Sequence, residues 1–222
     1  MKLTNKILLT ALGIIFILIP VNKLIFKSKI EVINTFANKP AIYKAISYMP
    51  SGTIEISGKF EIHIAKNDSF YLKIKNPDEW ISESYISGVD KGRFYFRSTK
   101  AMNNIPHIGN LWINSIKIDT LIASKGAIVY LENFSEDEVN IHASDSSVIF
   151  TKNCSFNMTK LTGSRKSTIY LNKTNEAWVQ MTDFSNVSLG MNNGSAFGSI
   201  DKTSDYVLQG NVSSNKIIIS NN

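Results

Sequence analysis

The chain has a single cysteine, Cys154, so no intramolecular disulfide can form and the fold must be held by packing and hydrogen bonds. Its three histidines, His63, His107 and His142, show no ligand spacing, and one thiol beside them cannot assemble a metal cluster. Arginine is scarce, with only Arg93, Arg97 and Arg165. The formal charge of +6 is also misleading, because residues 1–30 hold five lysines (Lys2, Lys6, Lys23, Lys27, Lys29) and no acid. With those set aside from the 24 basic residues, 19 remain against 18 acidic ones. A nucleic-acid-binding domain needs a basic stripe in its folded part, so nucleic acid is excluded as a partner. The Gly-x-Ser-x-Gly and Gly-x-x-x-x-Gly-Lys patterns are missing, which argues against serine-hydrolase and P-loop chemistry. So is the Gly-Gly-x-Gly-x-Asp nonapeptide of calcium-binding β-rolls. No cofactor is expected, and no helical pattern of useful length occurs after residue 50.

What is present begins with a hydrophobic segment. Met1 to Lys6 is a short positive stretch, and Ile7 to Val21 is apolar or near-neutral throughout. Asn22 and Lys23 interrupt the run before Leu24, Ile25 and Phe26 extend it. A bilayer needs ~20 residues, which this segment supplies if Lys23 snorkels. A small-x-small cleavage pattern is missing before Lys27, so residues 7–26 read as an uncleaved membrane anchor, with secretion after signal cleavage as the alternative. Lysines flank both sides, so charge alone sets no orientation. Residues 1–30 are therefore the anchor and 31–50 a connector or end cap, with a short amphipathic helix expected over 35–47. Residues 51–222 form one domain.

That domain alternates apolar and polar residues in short runs, as in Phe60-Glu61-Ile62-His63-Ile64, separated by Gly, Asn, Asp and Ser clusters. This is the pattern of strands and turns. It also repeats. One apolar set falls at Leu121, Ile141, Leu161, Val179 and Ile200, and a second at Ile128, Val148, Ile169, Val187 and Val207. Steps of 18 to 21 residues, with small polar turns between the sets, are the signature of a solenoid. Twenty residues at ~3.3 Å give a circuit of roughly 66 Å, one compact coil of two or three strands. Ile54, Ile74 and Phe94 share the twenty-residue step, so the first coil is expected near residue 53. An antiparallel sandwich would not hold two ladders in phase over five copies. The expected fold is all-β, a right-handed parallel β-helix or closely related solenoid.

The order of these segments resembles a bacterial family called putative auto-transporter adhesins, or head GIN domain proteins. The residues that carry it are Ile56-Ser57-Gly58-Lys59-Phe60-Glu61-Ile62-His63-Ile64, Asn67-Asp68 and Phe70-Tyr71-Leu72-Lys73-Ile74. Gly92-Arg93-Phe94-Tyr95-Phe96 and the turn repeats after Leu121 follow. The family's Gly-Ser-Gly turns are here Ser-Asp-Ser or Gly-Ser-Arg, and the likeness covers roughly residues 51 to 210. It implies a parallel β-helix in the cell envelope and an adhesive role; with the anchor read at residues 7–26, the domain is expected to be tethered to the cytoplasmic membrane and to face the periplasm or exterior. Partners would then be envelope or extracellular polymers or proteins.

Carbohydrate-cleaving β-helices gather Asp, often with Lys or Arg, on one face. Asp145, Asp183, Asp201 and Asp205 are the acids to weigh, and Asp145 and Arg165 would share a turn on adjacent coils. Asp also suits turns because its side chain caps local backbone groups. Asp145, Arg165, Asp183 and Asp205 are accordingly read as surface-binding turns, with no catalytic residue assigned and a polysaccharide-acting enzyme as the alternative. A structural or sensory partner of an envelope complex is a further one. His142 follows inward Ile141 and should face solvent, while Cys154 matches Phe134 as an inward corner. Trp80, Trp112, Trp178, Tyr43, Tyr85 and Tyr130 could offer flat faces to sugars, although packing is the commoner use. The strand Lys216-Ile217-Ile218-Ile219 has no cap, so edge-to-edge homo-oligomers are expected there.

Overall fold

A strand covered on one side only sends alternate side chains inward, and that alternation runs through most of the domain. The computed structural model describes residues 42–45, 52–74, 85–99 and 108–220, which contain strands and turns and no helix. They belong to a folded unit beginning at Ala41. The anchor segment 7–26 lies outside the described residues, as does most of the connector. Within the connector, Ile42–Ala45 is a strand (β1), where a helix was expected. Antiparallel pairing with a neighbouring strand (β4, Tyr71–Ile74) overrides a weak helical pattern there.

The first coil is made by β2 (Thr53–Ser57) and β3 (Phe60–Lys66). Ile54, Ile56, Phe60, Ile62 and Ile64 all point inward and are fully buried. The chain then leaves the winding. It forms β4, an antiparallel hairpin of β5 (Tyr85–Asp90) and β6 (Arg93–Ser98), and β7 (Ile108–Ser115). β6 pairs with one side of β2 and β7 with one side of β3, so this excursion caps the first coil from below. The expected Ile54, Ile74, Phe94 ladder is thereby corrected. Ile54 and Phe94 are direct neighbours, whereas Ile74 sits on another face, antiparallel to β7.

Winding resumes on the opposite side of the first coil with β8 (Thr120–Ser124), which pairs with β2, and β9 (Ile128–Glu132), which pairs with β3. β10 (Ser135–Ala143), β11 (Val148–Lys152) and β12 (Ser155–Gly163) follow, then the long strands β13 (Thr168–Met181), β14 (Asn186–Asp201) and β15 (Asp205–Ser220). From β8 onward every pairing is parallel. Each coil turns through three faces, so the fold is a parallel β-solenoid. β1 and β5 are edges at one end of the stack, and β15, which pairs only with β14, is the edge at the other.

The first apolar set holds as a ladder from Ile54 through Leu121, Ile141, Leu161 and Val179. At the next step Val179 meets Gly198, and Ile200 pairs instead with Met181. Gly198 has φ +128°, and a Cβ there would collide with the carbonyl oxygen of Val179, so no side chain can stand at that rung. The second set is out of phase by one residue in three of its five members. The inward ladder is Val129, Ile149, Ile169, Val187 and Tyr206, while Ile128 and Val148 stand half-buried on the outer side and Val207 is 52% exposed. Both residues of each pair (Ile128-Val129, Val148-Ile149) are apolar, β-branched strand formers, so composition does not mark which faces inward.

Two corners shape each coil. At the first, the pairs Asp145-Ser146, Arg165-Lys166 and Asp183-Phe184 have positive φ between 53° and 63°, bending the chain so that the next side chain enters a narrow corner. Only small residues stand there: Ala127, Ser147, Ser167, Ser185 and Ser204, all buried. Their hydroxyls are used, since Ser147 Oγ donates to the Ala123 carbonyl (3.0 Å) and Ser204 Oγ accepts from the Ser185 amide (3.2 Å). At the second corner Phe134 and Cys154 fill equivalent inward places, and the Cys154 Sγ lies 3.3 Å from the Leu131 carbonyl oxygen. β13 runs through this corner without a break, which is where the short coil from Leu161 to Val179 drops its residues.

Candidate binding surfaces

Because side chains on adjacent coils stack at ~4.8 Å, a solenoid surface is a set of straight rows, and each row has its own chemistry. Along the first corner the row is Lys125, Asp145, Arg165 and Asp183, held in register by backbone bonds such as Gly126 to Asp145 and Lys166 to Asp183. Arg165 donates to Asp145 at 3.0 Å. That bond, followed by the field of Asp145 and, more weakly, of Asp183, raises the Arg165 guanidinium above its ordinary value. Asp145, Arg165 and Asp183 thus come together as a charge-alternating ridge. Asp205 does not join them, since it opens β15 on the outer side beside Asn186. Asp201 closes the last turn: its carboxylate accepts the amides of Asp183 (2.7 Å) and Thr203 (3.0 Å) and the Thr203 hydroxyl (2.7 Å). The Asp183 amide, with help from Thr203 and Ser204, draws this carboxyl down to about 2.

A second row is built of amides. Asn157 donates to Asp137 (2.7 Å), Asn175 to Asn157 (3.0 Å) and Asn192 to Asn175 (3.1 Å), with Asn211 next in register. A third is aromatic: Trp112, His63, Tyr130, Phe150 and Tyr170 stack in sequence with ring centroids 4.7–5.4 Å apart. His63 is steadied from the side by Glu132, 3.1 Å from its Nδ1. Ring faces in this ladder are spent on each other, so it presents mainly edges, with Tyr170, 44% exposed, at its open end. Neither row was foreseen from sequence, although Tyr130, Phe150 and Tyr170 recur every twenty residues.

The acids Asp119, Glu136, Asp137 and Glu138 line one cleft of about 410 Å³. Each is already engaged. Lys117 holds Asp119 (2.7 Å), Lys66 holds Glu136 (3.0 Å), Lys160 holds Glu138 (2.6 Å) and Asn157 holds Asp137 (2.7 Å). Elsewhere Glu55 is clamped by Arg97 (2.8 Å) and Arg93 (3.1 Å), and the Arg97 bond leads in keeping its carboxyl below the usual value against the opposing effect of burial. Among the described residues no group of three or more His, Cys, Asp or Glu side chains could hold a metal ion.

The remaining outer surface is a groove of about 370 Å³ lined by Asn140, His142, Lys160, Trp178, Gln180 and Ser199, among others. His142 faces outward as expected, and the protein around it lowers its pKa from the ordinary imidazole value, favouring the neutral ring. Of the aromatics weighed for sugar contact, Tyr85 packs on Phe96 (centroids 4.5 Å) and Tyr130 and Trp112 belong to the ladder. Trp178 is 48% exposed. Trp80 and the side chain of Tyr43 lie outside the described residues.

Parallel coils and in-register outer rows define a β-solenoid whose outer faces carry rows of like side chains. Comparison with protein families and with curated proteins finds no match. Solved structures share the fold. One is a putative adhesin from Bacteroides fragilis, 12% identical, with 82% of this chain and 99% of that one covered at a TM-score of 0.56. Another is a putative adhesin from Parabacteroides distasonis, 16% identical, with 82% and 79% covered and the same TM-score. These neighbours agree with the putative adhesin family that the sequence resembles, whereas the head GIN name rests on the sequence alone.

Proposed function

We propose that this protein is a non-catalytic binding module of the adhesin kind, tethered to the cytoplasmic membrane through residues 7–26 and facing outward. The observation that carries the reading is the row architecture. A charge-alternating row at a corner and amide and aromatic rows on the strands of separate faces all run along the coil axis, which suits repetitive contact with an extended polymer or surface.

Cells displaying the full-length chain, passed over immobilised cell-wall polysaccharide and peptidoglycan, should be retained more than cells lacking it. Retention should survive exchange of residues 7–26 for an unrelated membrane segment. Its loss on that exchange would favour a membrane-complex partner, and no retention on any envelope polymer would sink the adhesin reading. Hydrolysis of a polymer that stops when Asp145 and Asp183 are both changed to Asn would favour the enzyme.

A further inference from the structure

We infer that the groove beside Trp178 is a saccharide subsite that takes a neutral pyranose ring. The inference rests on the binding-module reading and names the ligand class for one face of it.

Two outer rows run along this face. One reads Asn140, Lys160, Trp178, Phe197 and Lys216, and the other His142, Thr162, Gln180, Ser199 and Ile218. They lie two residues apart along each strand, roughly 7 Å, while neighbours within a row are ~4.8 Å apart. In the first row Trp178 stacks on Phe197 with centroids 5.1 Å apart and planes 27° from parallel. Its indole Nε1 donates to Glu176 Oε1 at 2.6 Å, so the ring is held from two directions. The Phe197 stack takes one indole face, which leaves the face on the Lys160 side of the groove, and because a strand carries Trp178 that face needs no loop to order before it binds. Beside it, His142, Thr162 and Gln180 present uncharged donors and acceptors, with Asn140 at the end of the aromatic row.

A pyranose ring has the matching duality. Its axial C–H face is apolar and lies flat on an indole, while its equatorial hydroxyls radiate at the rim and seek amides, hydroxyls and neutral imidazole. About 370 Å³ is the size of a small-ligand cleft and admits one or two such rings. The charged groups at the groove favour a neutral ligand. Lys160 is held by Glu138 (2.6 Å), Glu176 by the Trp178 indole, and Lys216 lies over the Phe197 ring at 6.0 Å.

The test uses full-length protein in a detergent without a sugar headgroup, titrated calorimetrically with cello-, manno- and chito-oligosaccharides. At least one series should bind saturably. Trp178→Ala should weaken it at least about tenfold, Trp178→Phe should retain most of it, and Gln180→Ala should fall between. Ile86→Ser, at an exposed position of the β5–β6 hairpin outside the rows, should leave binding unchanged. Absence of binding in all three series, or equal binding by Trp178→Ala, overturns the subsite. If Trp178→Ala cells are still retained on envelope polymers, the subsite falls and the module reading stands; if even unaltered cells are not retained, the module reading itself fails.

Discussion

Replacing Ile149 with Ala should damage this protein far more than replacing its neighbour Val148, although the two look equivalent in the sequence. Ile149 is fully buried and stacks in register between Val129 and Ile169, one coil to either side. Truncation removes three carbons, about 2.4 kcal/mol of transfer free energy at ~0.8 kcal/mol per methylene. The cavity left between two fixed coils brings the cost to about 3–4 kcal/mol. Val148 stands half-buried on the outer side between Ile128 and Thr168, so losing two partly wet carbons costs about 0.8 kcal/mol. With a urea slope of about 2 kcal/mol/M, the midpoint should fall by about 1.5–2 M for Ile149→Ala and about 0.4 M for Val148→Ala. Urea unfolding of the full-length protein, followed by tryptophan fluorescence, reads both. Equal shifts, or a larger one for Val148→Ala, would mean that this strand faces the other way and that the inner ladder is wrongly drawn.

Asp201 gives a pH test. Its carboxyl, held at about 2, contributes stability that is fully present above the ordinary aspartate value and is lost as pH falls through about 2. The gap between wild type and Asp201→Asn should therefore be widest near pH 6 and close between about pH 4 and pH 2; a gap independent of pH would contradict the turn-closing role. Cys154 is 2% exposed and burial pushes its thiol up, so a thiol reagent should leave it untouched until denaturant opens the corner, and rapid labelling of native protein would remove it from the core. Edge pairing through β15, whose Ile218 is 68% exposed, predicts a dimer by light scattering that Ile218→Lys converts to a monomer; a wild-type monomer at all concentrations would dismiss it.

The parts of this fold that could be read in advance are those fixed by local chemistry. The twenty-residue step survives because parallel coils of similar circumference must repeat it. Cys154 was placed correctly by its correspondence to Phe134, and Asp145 and Arg165 by their turn positions. Phase was harder. Where Val148 and Ile149 are both apolar strand formers, only packing across coils decides which points inward. The excursion from β4 to β7 was illegible for another reason: β6 and β7 pair with coil strands forty or more positions away, and the matching twenty-residue step to Ile74 is a coincidence of spacing. Ile200 slipped because Gly198 takes a rung where no side chain fits. The amide and aromatic rows left a trace, since Asn157, Asn175 and Asn192 recur at 18 and 17 residues, but a polar residue facing water carries no signal of its partner until the coils are stacked.

The account stands or falls on where the solenoid is displayed. Full-length protein with a C-terminal tag, expressed in spheroplasts and exposed to external protease, should lose the tag while residues 7–26 remain with the membrane. A tag protected in intact spheroplasts and cleaved only after lysis would place the solenoid inside the cell and contradict an outward-facing binding module.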